Sequence, residues 1–221
     1  MKNKYFFMTI AILIIALSSS AQETGTFTDS RDGKIYKTVT IGLQTWMVEN
    51  LNVNHYSNGD IIPEVKSAQE WMDYWKNKKG AWCYYNNDSS NRKLHGKLYN
   101  WYAVTDPRGI APIGWHVPSG DDWEDLFQYL GGSSKAGSKL KSATGWDHST
   151  GTNSSGFSAL PDGTRSNDGL FYKLGSSSYW WSSSPANSYN AWCRGLNYDD
   201  DVVWGSNEHF GSGIAVRLIK D

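Results

Sequence analysis

Between residues 35 and 48 the chain alternates. Ile35, Lys37, Val39 and Ile41 fall on one side of an extended run, Tyr36, Thr38 and Thr40 fall on the other, and Gly42-Leu43 separates them from Gln44 to Val48. A period of two with β-branched residues on both arms predicts a β-hairpin. The period then changes: Trp71, Tyr74 and Trp75 recur at i, i+3 and i+4, and Ser67 with Glu70 three residues on reads as a capping box, so a helix is predicted from Ser67. A second helix is predicted after Ser119, whose hydroxyl can cap the first turn, with Asp121 and Asp122 where carboxylates meet the positive end of the helix dipole. Trp123, Leu126, Phe127 and Leu130 form its apolar stripe and Gly131 its stop. Residues 136–143 are expected to add a short third helix.

From Gly156 onward the pattern breaks into short alternating segments separated by Gly, Ser, Asn and Asp. Trp192, Arg194, Leu196 and Tyr198 share one face of a strand and Cys193, Gly195 and Asn197 the other. Asp199-Asp200-Asp201 predicts a turn, Val202 to Trp204 the returning arm, and residues 214–220 a final strand. Helices early and a twisted antiparallel sheet late, with long irregular loops, define an α+β domain of two to three helices. With no internal repeat and no linker, residues 29–221 are assigned to one domain. The patternless polar lead, residues 22–28, is expected to be disordered.

At the N-terminus Lys2 and Lys4 precede an apolar run from Tyr5 to Leu17 and the small residues Ser18-Ser19-Ser20-Ala21. That order predicts a secretory signal peptide over residues 1–21, cleaved after Ala21. The apolar run is shorter than the roughly 20 residues of a membrane span, and no cysteine follows it to carry a lipid. The expected destination is the periplasm or the medium.

The formal net charge of −1 includes both lysines of the leader and none of its acids, so the mature chain carries −3. This balance gives no electrostatic case for nucleic acid or for an anionic membrane surface, and no membrane insertion is expected once the leader is cleaved. What stands out is 12 Trp and 13 Tyr, side chains that serve small β-rich cores and contact surfaces alike. The two cysteines, Cys83 and Cys193, are expected to form a disulfide in an oxidising compartment.

Several blocks together carry a family resemblance. They are the opening Gly33 to Gly42 with Gln44-Thr45-Trp46-Met47 and Glu49-Asn50-Leu51, then Gly114-Trp115-His116-Val117-Pro118-Ser119, then Gly156-Phe157-Ser158-Ala159-Leu160-Pro161. From about Asp29 to Asp221 the chain resembles the Fibrobacter succinogenes major paralogous domain family of exported bacterial proteins, which implies address and architecture more than activity. Its members carry a Val-Arg-Cys run near the last strand where this chain has Val216-Arg217-Leu218, which makes Cys193 a relocated partner. The order of helices and β-meander is similar to the C-type lectin-like fold. Val117 to Glu124 also looks like the Arg-Leu-Pro-Thr-x-x-x-Trp-Glu run that begins the second helix of formylglycine-generating-type proteins.

The resemblance to those enzymes stops where their chemistry should be, since they use a close pair of cysteines near the C-terminus and this chain has only Cys193 there. A Gly-x-Ser-x-Gly elbow, a His-Glu-x-x-His helix motif and a phosphate-binding glycine loop are all missing from the sequence. No catalytic residue, cofactor or metal is therefore assigned, and His116 is read as a hydrogen-bonded structural residue. Asn197 and Asp199 to Asp201 offer oxygen ligands suited to calcium. The plain turn is preferred, because Asn and Asp favour turns for backbone reasons. Arg165 and Arg217 are read as structural, stacking on rings and donating to carbonyls.

Binding residues are expected in the loops between Ser176 and Ser212, with Trp181, Trp192 and Trp204 as stacking platforms and Asn190, Asn197 and Asp199 as polar neighbours. Trp192 and Trp204 are expected to face each other across the acidic turn. The resulting expectation is a secreted, non-catalytic recognition module for glycans or a surface protein. A structural part of an extracellular assembly, or an unfamiliar enzyme on a formylglycine-generating-like scaffold, are the alternatives.

Overall fold

A computed structural model describes residues 22–148 and 151–221, so the predicted signal peptide lies outside the described residues. In chain order the elements are β1 (Thr24–Thr28), β2 (Ile35–Ile41), β3 (Gln44–Met47), α1 (Ala68–Lys76), β4 (Trp82–Cys83), β5 (Leu98–Tyr99), α2 (Trp101–Val104) and β6 (Trp115–His116). There follow α3 (Gly120–Tyr129), α4 (Ser133–Leu140), β7 (Asp162–Arg165), β8 (Phe171–Leu174), β9 (Ser177–Pro185), β10 (Asn190–Asn197), β11 (Trp204–His209) and β12 (Ile219–Lys220). The domain is α+β. One sheet runs β1-β2-β3-β12-β6, a second β11-β10-β9, and two ribbons pair β4 with β5 and β7 with β8. No described helix is long and apolar enough to cross a membrane.

The predicted hairpin forms between β2 and β3, with Val39 opposite Trp46 and Thr38 opposite Met47. The lead expected to be disordered is instead β1, antiparallel to β2 from Thr24↔Val39 to Thr28↔Ile35. Three threonines suit an extended backbone, the free edge of β2 supplies the missing hydrogen-bond partners, and Phe27 packs its ring 5.0 Å from that of Trp115.

Both main helices start at the predicted caps. Ser67 Oγ accepts from the Glu70 N–H at 3.0 Å. At α3 a full capping box closes, with Asp122 N–H donating to Ser119 Oγ at 3.2 Å and Ser119 N–H to Asp122 Oδ2 at 2.8 Å. Helix α4 begins three residues before the expected third helix and stops at Leu140, because Lys141 is extended and Ser142 N–H turns to the Ala159 carbonyl.

Two cores lie on opposite faces of the β9-β10-β11 sheet. Trp180, Leu196 and Val203 join Trp46, Trp123 and Phe157 on the side covered by α3, whereas Trp181, Ala191 and Cys193 join Tyr99, Trp82 and Met47 on the other. Strand alternation sends consecutive residues to different cores. The same alternation governs residues 214–219, with Ile214, Val216 and Leu218 in one core and Ala215 and Ile219 in the other. This segment is not the continuous final strand expected. It changes partner almost residue by residue: the Ile214 N–H bonds to Tyr99, the Ala215 carbonyl accepts from Trp181, the Val216 carbonyl from Leu51 and the Leu218 carbonyl from Met47. It stitches the sheets together, and only Ile219–Lys220 is strand.

Candidate functional site

Helix α3 crosses β9-β10-β11 so that its first turn leaves a cleft of about 530 Å³ against the sheet. Gly120, Asp121 and Glu124 form the helical wall, Ser184 one end, and Trp192 and Arg194 the sheet wall. The sequence builds this locally. Residues two apart on a strand share a face, so Trp192 and Arg194 emerge side by side. Asp121 and Glu124 are three apart on a helix and share one face of α3.

The Arg194 guanidinium is half-buried and donates to the Cys193 carbonyl at 3.2 Å. Among the described residues no carboxylate lies within ion-pair distance of it. Burial lowers its pKa, with Cys193 and Glu124 opposing. A Cβ on Gly120 would lie 3.9 Å from Arg194 Nη2, and one on Gly205 3.8 Å from Nη1, so glycine walls leave the fork open on both sides. Gly120 N–H in turn donates to Ser184 Oγ at 3.1 Å. The cleft thus offers an indole 40 % exposed, a cation with unused donors, and two carboxylates as acceptors.

The other expected binding residues do not join it. Trp181 is fully buried, with its Nε1–H donating to the Tyr99 carbonyl at 2.8 Å, and Trp180 is buried on the opposite face, so neither is a platform. Both faces of β9 are covered by a core. Trp204 is 47 % exposed, but it pairs with Gly195 while Trp192 pairs with Asn207. Directly opposite residues share a face, so Trp204 projects from the other side of the hairpin and does not face Trp192. Its Nε1–H reaches Asp200 Oδ2 at 3.2 Å. Asn190 donates to Asn207 at 3.0 Å at the far end of the strand, Asn197 accepts from Ser177 at 2.8 Å, and Asp199 is exposed in the turn.

That turn has an internal partner. Lys141, fully buried, donates Nζ–H to the Asp200 carbonyl, and the Gly137 N–H donates to the Asp201 carbonyl at 2.8 Å. Among the described residues no group of three His, Cys, Asp or Glu side chains could hold a metal ion.

The expected disulfide is absent: Cys83 and Cys193 are both buried free thiols. They belong to the two different cores, and burial pushes each thiol up to about 12. His116 is hydrogen-bonded, between Asp122 Oδ2 of the capping box at 3.3 Å and Asp221 Oδ1 at 2.7 Å, although its side chain is partly exposed. Arg165 lies over the Trp71 and Phe171 rings and donates to the carbonyls of Val65, Lys66 and Gly169. Arg217 lies over Phe157 and donates to Asn50 Oδ1 and the Phe157 carbonyl.

Sequence reasoning overlooked Arg194, Asp121 and Glu124 as site residues. The signals were present in the shared strand face of Trp192 and Arg194 and in the acidic first turn of α3. What joins the two walls is the crossing of helix over sheet.

The chain belongs to the Fibrobacter succinogenes major domain family, whose model matches residues 39–220. No curated protein and no solved structure matches it.

Proposed function

We propose that this domain is a secreted, non-catalytic recognition module on a C-type lectin-like scaffold, and that it binds a glycan in the cleft between α3 and β10. The reading is carried by Trp192, an exposed indole standing beside an arginine that has no acid partner among the described residues. A flat apolar ring suits the C–H face of a pyranose, and a guanidinium fork with neighbouring carboxylates suits its hydroxyls. Export after cleavage at Ala21 would put the cleft where extracellular glycans are. The order of helices before a β-meander supports the lectin-like comparison, although a shared scaffold carries no function by itself.

A binding role fits the carboxylates better than glycoside hydrolysis does. Asp121 and Glu124 stand on one wall, whereas hydrolysis places two carboxyl groups on either side of the scissile bond.

The test is a glycan-array screen of the mature protein followed by calorimetry on the best ligand with Trp192→Ala and Arg194→Gln. Loss of an aromatic platform and of a charged donor should each weaken binding about tenfold or more with unchanged thermal unfolding. Wild-type affinity in both variants would assign the ligand elsewhere. Capture of a surface protein without glycan dependence would favour the protein-binding form of the module.

A further inference from the structure

Beside β2, two adjoining concavities of about 340 and 250 Å³ share Glu49 and Lys93 as a common rim. Lys34, Arg92 and Asn52 line the first, and Lys37 the second. With the buried Arg217, which also lines the second, five cations therefore meet one carboxylate, on a chain whose overall formal charge is −1. Arg217 is held by Asn50 and the Phe157 carbonyl, whereas among the described residues the side chains of Lys34, Lys37, Arg92 and Lys93 make no ion pair or hydrogen bond. The nearby acids are engaged elsewhere: Glu49 accepts from the Lys37 backbone N–H at 2.8 Å, Asp32 from the Lys34 backbone N–H at 3.0 Å, Asp29 is bound by Arg31 at 2.7 Å, and Glu64 faces Lys66 at 3.5 Å.

Like charges held together oppose folding unless something else is gained. Burial lowers the Lys34 pKa and the charge of Arg92 lowers it further, against Glu49, Asp32 and Asp29. Arg92 and Lys34 also act on Lys97, whose ammonium sits 3.7 Å above the Trp82 ring.

A second, separate observation points to a ligand. Asn52 is 93 % buried by its 7 % exposure, its Nδ2 donates to the Arg92 carbonyl at 3.1 Å, and its Oδ1 has no partner. A buried acceptor left open costs free energy until a donor reaches it.

We infer that this groove is a second binding site, for an acidic oligosaccharide whose carboxylate or sulfate groups meet Lys34, Lys37, Arg92 and Lys93 while a hydroxyl donates to Asn52. The two concavities share a rim and each adds cations, which suits a ligand that repeats a charged unit. Asn52 asks for a hydroxyl or N–H donor beside the anion, and each ring of an acidic sugar chain carries hydroxyl and charge together. The groove shares no residue with the Trp192 cleft, so either site can fail without the other.

Calorimetry of the mature protein with an oligogalacturonate, a sulfated dextran oligosaccharide, an uncharged dextran oligosaccharide and a poly-glutamate peptide tests this. Expected is binding of one or both acidic sugars that weakens with added salt. It should fall about tenfold or more in Arg92→Gln/Lys93→Gln, with unchanged unfolding because both residues are exposed, and stay unaffected by Trp192→Ala. The carboxylate and sulfate arms tell which anion is taken. Three results would overturn the inference: no binding of either acidic sugar at low salt, wild-type affinity in the double variant, or poly-glutamate bound as tightly as the sugars.

Discussion

Arg217 Nη2 donates to Asn50 Oδ1 at 2.8 Å, and both residues are buried. The same oxygen accepts from Trp180 Nε1 at 2.9 Å, and Asn50 Nδ2 donates to Asp162 Oδ2 at 2.5 Å. Asp162 in turn holds His95 Nδ1 at 2.7 Å and accepts from Ser178 Oγ at 3.2 Å. One amide therefore stands between a buried guanidinium and a buried carboxylate, joining residues from five separate stretches of the chain.

Replacing that amide takes a partner from both charges, leaving Arg217 only the Phe157 carbonyl and Asp162 only His95 and Ser178. Asn50→Leu should cost about 3 kcal/mol in urea unfolding, the scale for removing hydrogen bonds to buried charged groups. Asn50→Asp keeps the acceptor for Arg217 but turns a donor toward Asp162 into a second carboxylate, so it too should destabilise.

Lys97 should make stability depend on pH in the alkaline direction. Burial holds its pKa down to about 7, against 10.5 for the free side chain. Below about 7 the ammonium is protonated in both folded and unfolded chains, and the folded state bears the full cost of burying it. Between about 7 and 10.5 the unfolded chain binds the extra proton, so this contribution favours folding progressively as pH rises. Lys97→Met should therefore stabilise most below pH 7, and its advantage should shrink toward pH 10.5. An advantage that grows with pH would contradict the assignment.

The two thiols should be silent in the folded protein. With Cys83 and Cys193 free and buried and each pushed up to about 12, reaction with a thiolate-selective reagent at neutral pH should wait for unfolding. Denaturation without reductant should then release two titratable thiols. Fast labelling of either one in the native state, or a bridged peptide on non-reducing mass mapping, would count against the two-core placement.

Trp181 and Trp192 should separate stability from binding. Trp181→Ala removes an indole fully enclosed in one core and should destabilise by about 3 to 5 kcal/mol. Trp192→Ala, on a side chain 40 % exposed, should leave the unfolding midpoint nearly unchanged and reduce quenching of native fluorescence by acrylamide.

The hairpin β2–β3, the caps at Ser67 and Ser119, the stripe of α3 and the acidic turn were legible in the sequence because each is set by residues a few positions apart, through backbone geometry and local hydrogen bonds. Strand alternation likewise gave the shared face of Trp192 and Arg194 and the opposite faces of Trp180 and Trp181. Whether a face meets solvent depends on what is layered over it, and for β9 a core lies on both sides, which removes Trp181 as a platform. The edge of β2 turns residues 24–28 from a patternless lead into β1, by supplying hydrogen-bond partners from outside that segment. The pairing of Gly195 with Trp204 separates the two exposed indoles, and the sheet between two cores keeps Cys83 from Cys193. The cleft itself arises from α3 crossing β10, a contact between residues about seventy positions apart. Local periodicity decides which way a side chain points along its own strand or helix; long-range packing decides what it meets there.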